Sequence, residues 1–342
     1  MKYIETVSDL LKDYFKILSP DFPEWLNEYI ETDRMQKQKY ISVTCGKIYS
    51  KLFDYREYSS LDHSIAVALI VWNFTKDKKQ TLSGLFHDIA TPVFKHCVDF
   101  LNGDYMNQES TEELTKTLIE DSKEIMNLLS RDNIKVEEVC DYHIYPIADN
   151  DTPMLSADRL EYSLSNYLIV FKYGTLAEIK EIYEDIEIEK NEQGIVELGF
   201  KTKKIARTFV KITSKLSVEY RDEATRFFMQ AIADILKRIS TEGLISKQDL
   251  YELKESEVID IIKKSNYANL YDKLVNATKV NSSNEEPKDM YYVRHGAKIR
   301  YIDPLYNGKR ISKECKIANK MIEKNLAYDM DKYLYLDDSF TF

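Results

Sequence analysis

SSLDHSIAVALIVWNFTKDKKQTLSGLFHDIATPVFKH, residues 59–96, is the stretch whose reading decides the fold. Its first half repeats apolar side chains at three and four positions, through Ile65, Ala68, Leu69 and Trp72, which is the period of a helix. Ser59 or Ser60 can cap that helix, leaving Asp62 and His63 in its opening turns. Beyond the turn Lys76 to Gln80, Thr81 can open a second helix that carries Leu82, Leu85, Phe86 and Ile89 until Pro92 stops it. The two helices then face each other, with His63 early on the first and His87-Asp88 near the end of the second.

Outward from this pair the chain keeps the same character. Ser110 with Glu113 forms a capping-box pattern ahead of Leu114, Leu118, Ile125 and Leu129. Ser156 caps a helix holding Asp158, Leu160, Tyr162, Leu164 and Leu168, and Lys203 to Ile239 reads as the longest helical region. Only nine Gly and seven Pro interrupt 342 residues, so helix should dominate. Two segments break the period. Asp185 to Phe200 alternates around Asn191-Glu192-Gln193-Gly194 and predicts a β-hairpin; Met290 to Ile302, flanking His295-Gly296, predicts another after a polar linker at Asn281 to Lys288. The expected fold is mainly all-α, a helical bundle with added C-terminal helices and one or two short β-hairpins. Its expected units are 1–180, then a hairpin and helical region at 181–280, then a C-terminal segment with a short hairpin and helix at 281–342.

Composition narrows the class. Lys and Arg number 48 against 58 Asp and Glu, a net charge of −10, with 44% hydrophobic residues, which excludes disordered and collagen-like chains. The acidic balance disfavours nucleic acid as a partner, and the 25 tyrosines are too dispersed to form a base-stacking platform. No secretory signal is visible, and the apolar run Ile65 to Phe74 is about half of the roughly 20 residues that a membrane span needs. The four cysteines show no Cys-x-x-Cys pair, which fits reduced thiols and a cytoplasmic location.

The distribution of histidine carries the chemistry: His63, His87, His96 and His143 fall within one stretch, and only His295 lies elsewhere. His63, His87, Asp88 and Asp158 can meet in a bundle as two imidazoles and two carboxylates. This mixed set suits one divalent ion, manganese, iron, nickel or zinc before magnesium, and leaves coordination positions for water and substrate. The bland alternative is a helix cap beside hydrogen-bonded core histidines.

His63-Ser64, Gly84-Leu85-Phe86-His87-Asp88-Ile89 and Asp158-Arg159-Leu160-Glu161-Tyr162 together resemble the H…HD…D signature of HD-domain metal-dependent phosphohydrolases, over roughly residues 50 to 175. HDIATPVFKH, residues 87–96, is similar to the HDxGHxPFxH stretch of the deoxynucleoside triphosphate triphosphohydrolase (dGTPase-like) branch. Asp99 falls where that branch carries an acidic catalytic residue, and Lys298-Ile-Arg300-Tyr-Ile-Asp303-Pro304 is similar to its late segment. The chain departs from it at Thr91 and Ala90, where the branch has His and Gly, at Ser60 for Arg, and at Asn107 and Gln108, near which a further His is expected.

The resemblance implies hydrolysis of a nucleotide, foremost a deoxynucleotide, by metal-activated water attack on phosphorus, in a homo-oligomer. His96 is the first candidate to protonate the leaving oxygen and His143 the second, with Asp99 orienting an imidazole. Arg159, Lys298 or Arg300 can neutralise phosphoryl charge, and Tyr162, one turn after Asp158, can stack on a base. His143 reads equally as a surface residue or as a ligand to a second metal in a binuclear phosphodiesterase; Arg294, Lys298 and Arg300 read also as a solvated strand face. The altered residues around the metal set motivate a rival, a nucleotide sensor that binds without turnover.

Overall fold

The computed structural model describes residues 2–106, 114–337 and 340–342. The Ser110 capping box and the departures at Asn107 and Gln108 lie outside the described residues. Helix accounts for 55% of the chain, with a few short strands, so the fold is mainly all-α as the periodicity predicts.

Ser59 is the cap of the first decisive helix, Ser60–Thr75, and its hydroxyl and the Asp62 carboxylate form a reciprocal capping box. Residues 60–71 of that helix are buried on every side, so it is the central rod of the bundle and not an amphipathic surface helix. The second helix starts earlier than Thr81. The Asp77 carboxylate accepts the Gln80 amide at 2.9 Å, and the helix runs Lys78–Phe86, leaving His87, Asp88 and Ile89 in the turn beyond it. Gly84 lets the two helices approach: a Cβ there would lie 3.2 Å from Val71 Cγ2. Around this pair pack the helices Asp9–Leu18, Ala157–Ser165, Leu176–Glu184 and Lys203–Glu219 in one apolar core.

A second core joins His96–Leu101, Glu223–Thr241, Glu255–Lys264, Ala268–Asn276 and the C-terminal residues Leu334, Leu336 and Phe340. The predicted helix Lys203 to Ile239 is therefore two helices, Lys203–Glu219 and Glu223–Thr241. They part at Asp222, whose carboxylate caps the second by accepting the Thr225 amide at 2.7 Å.

The hairpin Ile186–Lys190 with Val196–Phe200 forms as expected, antiparallel, with Ile186 opposite Phe200. The hairpin expected across Met290 to Ile302 does not form: the bridge there joins Val293 to Leu334. The His295 ring lies against Tyr105 and Phe100 at 4.8 and 5.1 Å, and Arg226 donates to the His295 carbonyl at 2.7 Å. These side-chain anchors and the bridge to Leu334 hold the segment across the second core in place of the expected hairpin. A tight hairpin occurs further on, Leu305–Tyr306 with Lys309–Arg310, around Asn307-Gly308, both at positive φ. Leu305–Tyr306 adds in parallel to Val196–Phe200. The expected linker at Asn281 to Lys288 contributes a strand, Asn281–Ser283, paired with Tyr333–Tyr335. No helix among the described residues is long and apolar enough to cross a membrane.

Candidate metal centre

The site lies where the two cores meet. His63 projects from the second turn of the central rod, His87 and Asp88 from the turn after the second helix, and Asp158 from the first turn of Ala157–Ser165. Ser156 fixes that last helix start, its hydroxyl accepting the Arg159 amide at 3.2 Å and donating to Asp149 at 3.1 Å. Nε2 of His63 is 3.1 Å from Nε2 of His87 and 3.2 Å from Asp158 Oδ1; His87 Nε2 is 3.7 Å from the same oxygen. Asp88 Oδ2 stands 3.9 and 3.8 Å from the two imidazoles.

Both rings are held from behind. The carbonyl of Gly84, which can only accept, takes a hydrogen bond from His87 Nδ1 at 2.7 Å, and the Glu161 carboxylate takes one from His63 Nδ1. Each imidazole therefore carries a proton on Nδ1 and turns Nε2 inward toward the carboxylates, the orientation a metal-ligating histidine requires. Neighbouring donors on a six-coordinate ion with bonds of about 2.1 Å stand about 3.0 Å apart, and on a tetrahedral one about 3.4 Å. The 3.1 and 3.2 Å separations fall between these two edges and those of 3.7 to 3.9 Å exceed both; His63, His87 and Asp88 offer donor atoms that all lie within 4.8 Å of one another and fit a divalent ion after small rotations, with Asp158 beside both imidazoles as the fourth candidate.

Charge in the cluster is tightly balanced. Burial opposes charge on His63, yet Glu161 and Asp158 raise its pKa to about 10. Burial likewise works against an ionised Asp158, but the His63 hydrogen bond and both imidazoles hold it at about 2. Asp88 sits well below the carboxylate range despite burial, chiefly through Lys95 and then His87. Two anionic carboxylates facing two imidazoles form a donor set that a dication completes.

The open cleft beside this cluster is lined by His96, His143, Arg159, Tyr162, Lys298 and Arg300, while Asp99, Arg294 and His295 lie outside its lining. His96 opens the helix His96–Leu101 and donates from Nδ1 to the fully buried Asp99 at 2.9 Å, leaving Nε2 toward the cleft, 3.4 Å from Arg300 Nη2. Burial, with Arg300 adding to it against the pull of Asp99, lowers the His96 pKa. Tyr162 shares the cleft wall with Tyr220, ring to ring at 6.2 Å, and Arg300 stands 5.9 Å over its face. Lys298 and Arg300 line the same wall. His143 is at the rim, half-exposed, between Asp141 at 3.0 Å and Asp149 at 3.5 Å. Arg159 reaches the cleft with two nitrogens engaged by the carbonyls of Met154 and Asn150, so its donors brace the turn 150–154.

Sequence reasoning missed several participants. Glu161 stood in the quoted motif with no role; it is fully buried and also accepts from Tyr14, Tyr58 and Ser165. Its position three residues after Asp158, on the same helix face, was the available signal. Lys47, Tyr55, Phe171 and Tyr220 reach the cleft from distant parts of the chain, where no local pattern marks them, and Lys95 reaches it from within the quoted stretch 87–96.

No family model matches the chain. An uncharacterized protein of Bacillus subtilis (strain 168), YdhJ, is 24% identical over 251 residues, covering 71% of this chain and 72% of that protein. Among solved structures, a phosphohydrolase from Bacteroides thetaiotaomicron superposes with a TM-score of 0.61 at 13% identity, over 93% of this chain and 97% of the other. A hypothetical protein from Aquifex aeolicus superposes with a TM-score of 0.56 at 15% identity, over 93% and 94%. The chain thus shares, over nearly its full length, the fold of a phosphohydrolase.

Proposed function

We propose that the protein is an HD-type metal-dependent phosphohydrolase acting on a nucleotide, with deoxynucleoside triphosphates as the first candidates. The observation that carries this reading is the pair of imidazoles pinned at Nδ1, with both Nε2 atoms turned toward Asp88 and Asp158. His63, His87, Asp88 and Asp158 would hold the ion, which supplies a Lewis acid for a phosphoryl oxygen and an acidified water. Lys298 and Arg300 offset charge developing on the phosphoryl oxygens, while Tyr162 and Tyr220 give a nucleoside an aromatic wall. His96, neutral at rest because burial lowers its pKa, takes up from solvent at Nε2 the proton that the attacking water sheds and gives it to the leaving oxygen, with Asp99 fixing the ring through Nδ1.

The test is a hydrolysis screen of protein reconstituted with manganese, iron, nickel or zinc, against ribo- and deoxynucleoside mono-, di- and triphosphates and cyclic dinucleotides. Turnover that disappears in Asp88→Ala together with the bound metal supports the reading. Metal near one per chain and nucleotide binding with no product would replace it with a sensor, and two metals per chain with cyclic dinucleotide hydrolysis would favour the binuclear phosphodiesterase. Solution mass measurement tests the accompanying proposal of a homo-oligomer.

A further inference from the structure

Lys95 occupies a backbone conformation that side-chain-bearing residues rarely adopt, φ 43° and ψ −117°, directly after Phe94 at φ 60°. Such a conformation persists only where the surroundings over-determine it, and it gathers at functional sites. Here the approach is pinned from the second core: the Val93 amide donates to the Leu250 carbonyl at 2.8 Å and the Phe94 amide to the buried Glu255 carboxylate at 3.3 Å. The consequence of the turn is to aim a long cationic side chain back into the cluster. Lys95 Nζ, its side chain only 10% exposed, donates to Asp88 Oδ2 at 2.7 Å, the same oxygen that faces both imidazoles. The ion pair keeps this ammonium inside the cleft, against the oxygen that the imidazoles face. An extended side chain on an exposed loop would have reached water at no backbone cost.

We propose that Lys95 is a cation of the centre itself: its ammonium shares Asp88 with the divalent ion, holding metal affinity down, and binds the phosphoryl group that the ion also contacts. This rests on the metal-site reading above and adds to it a residue for which the motif provides no role. Two cations facing one carboxylate oxygen repel each other, so removing the ammonium strengthens metal binding. The same removal takes positive charge away from an incoming phosphate and weakens its hold.

The experiment titrates chelator-treated protein with Mn²⁺ by calorimetry, then titrates the Mn²⁺-loaded protein with inorganic phosphate. It compares wild type, Lys95→Met and Lys95→Gly, the glycine variant being chosen because its backbone adopts this conformation without strain. In both variants Mn²⁺ should bind at least tenfold more tightly and phosphate at least tenfold more weakly. A lysine with a merely structural role would lower the melting temperature in Lys95→Met and leave both affinities within twofold. Either affinity unchanged in the two variants, with Mn²⁺ still bound by wild type, overturns this proposal alone. Folded wild-type protein that takes up no Mn²⁺ overturns the metal-site reading and this proposal together.

Discussion

Replacing Glu161 by glutamine isolates one electrostatic contribution at the centre. The carboxylate is fully buried, with Oε2 on the His63 Nδ1–H and the Ser165 hydroxyl at 3.3 Å, and Oε1 accepting from Tyr58 and Tyr14 at 2.7 and 3.1 Å. A glutamine can keep its oxygen on His63 and put its amide toward the two tyrosines, because a phenolic hydroxyl accepts as readily as it donates. Ring orientation and packing then survive while the negative charge behind His63 is lost. Partners of this kind typically contribute 10- to 100-fold in metal affinity, or about 1.4 to 2.8 kcal/mol. Glu161→Gln should therefore bind Mn²⁺ roughly 10- to 100-fold more weakly by calorimetry, with a melting temperature close to wild type in the metal-free protein. Any hydrolysis that the wild type supports should recover in large part at saturating metal. Unchanged metal affinity in a folded variant would refute the assignment of Glu161 as the group that orients and polarises His63.

Three further outcomes test other parts of the structure. Burial pushes Glu255 up to about 8 from its ordinary 4.5, so the folded chain keeps a proton that the unfolded chain sheds. Stability should fall as pH rises through this window, by at most about 1.4 kcal/mol per pH unit and several kcal/mol in all. Glu255→Gln should gain in urea midpoint over wild type at pH 8.5 relative to pH 5, and equal differences at the two pH values would count against it. Arg310 makes a buried two-pronged ion pair with Glu197 at 2.7 and 2.9 Å, so Arg310→Ala strands the carboxylate and should cost about 3 to 5 kcal/mol in denaturant unfolding. A loss under about 1 kcal/mol would mean that water relieves Glu197. Gly84→Val forces its branches against Val71, where even a Cβ comes to 3.2 Å, and should destabilise by about 1 to 3 kcal/mol. Because Gly84 also supplies the carbonyl behind His87, metal affinity should drop as well, and a purely thermal effect would show that the helix contact does not set the ligand geometry.

The sequence alone determined the helical class and the placement of His63 and Asp158 in the opening turns of their helices, because these follow from short-range causes, while His87 and Asp88 fall in the turn just past the helix that was expected to carry them. A serine at Ser59 or Ser156 satisfies amides two or three residues away, and an apolar period of three and four selects a helix whatever lies beyond it. The same local logic holds for the hairpin at Ile186–Lys190, and it was available at Asn307-Gly308, where the dipeptide was overlooked. It misled at Met290 to Ile302, which does not pair with itself: Val293 bridges Leu334 of a distant strand, and Tyr105, Phe100 and Arg226 hold the segment at His295. Only the tertiary structure decided that Glu161 lies behind His63, that Lys95 turns onto Asp88, and that Tyr55, Phe171 and Tyr220 share the cleft with Arg300. A glutamate on a helix or a lysine before a helix looks, in sequence, like ordinary solvated charge. It acquires a role when two cores close around it and remove the water that would otherwise screen it.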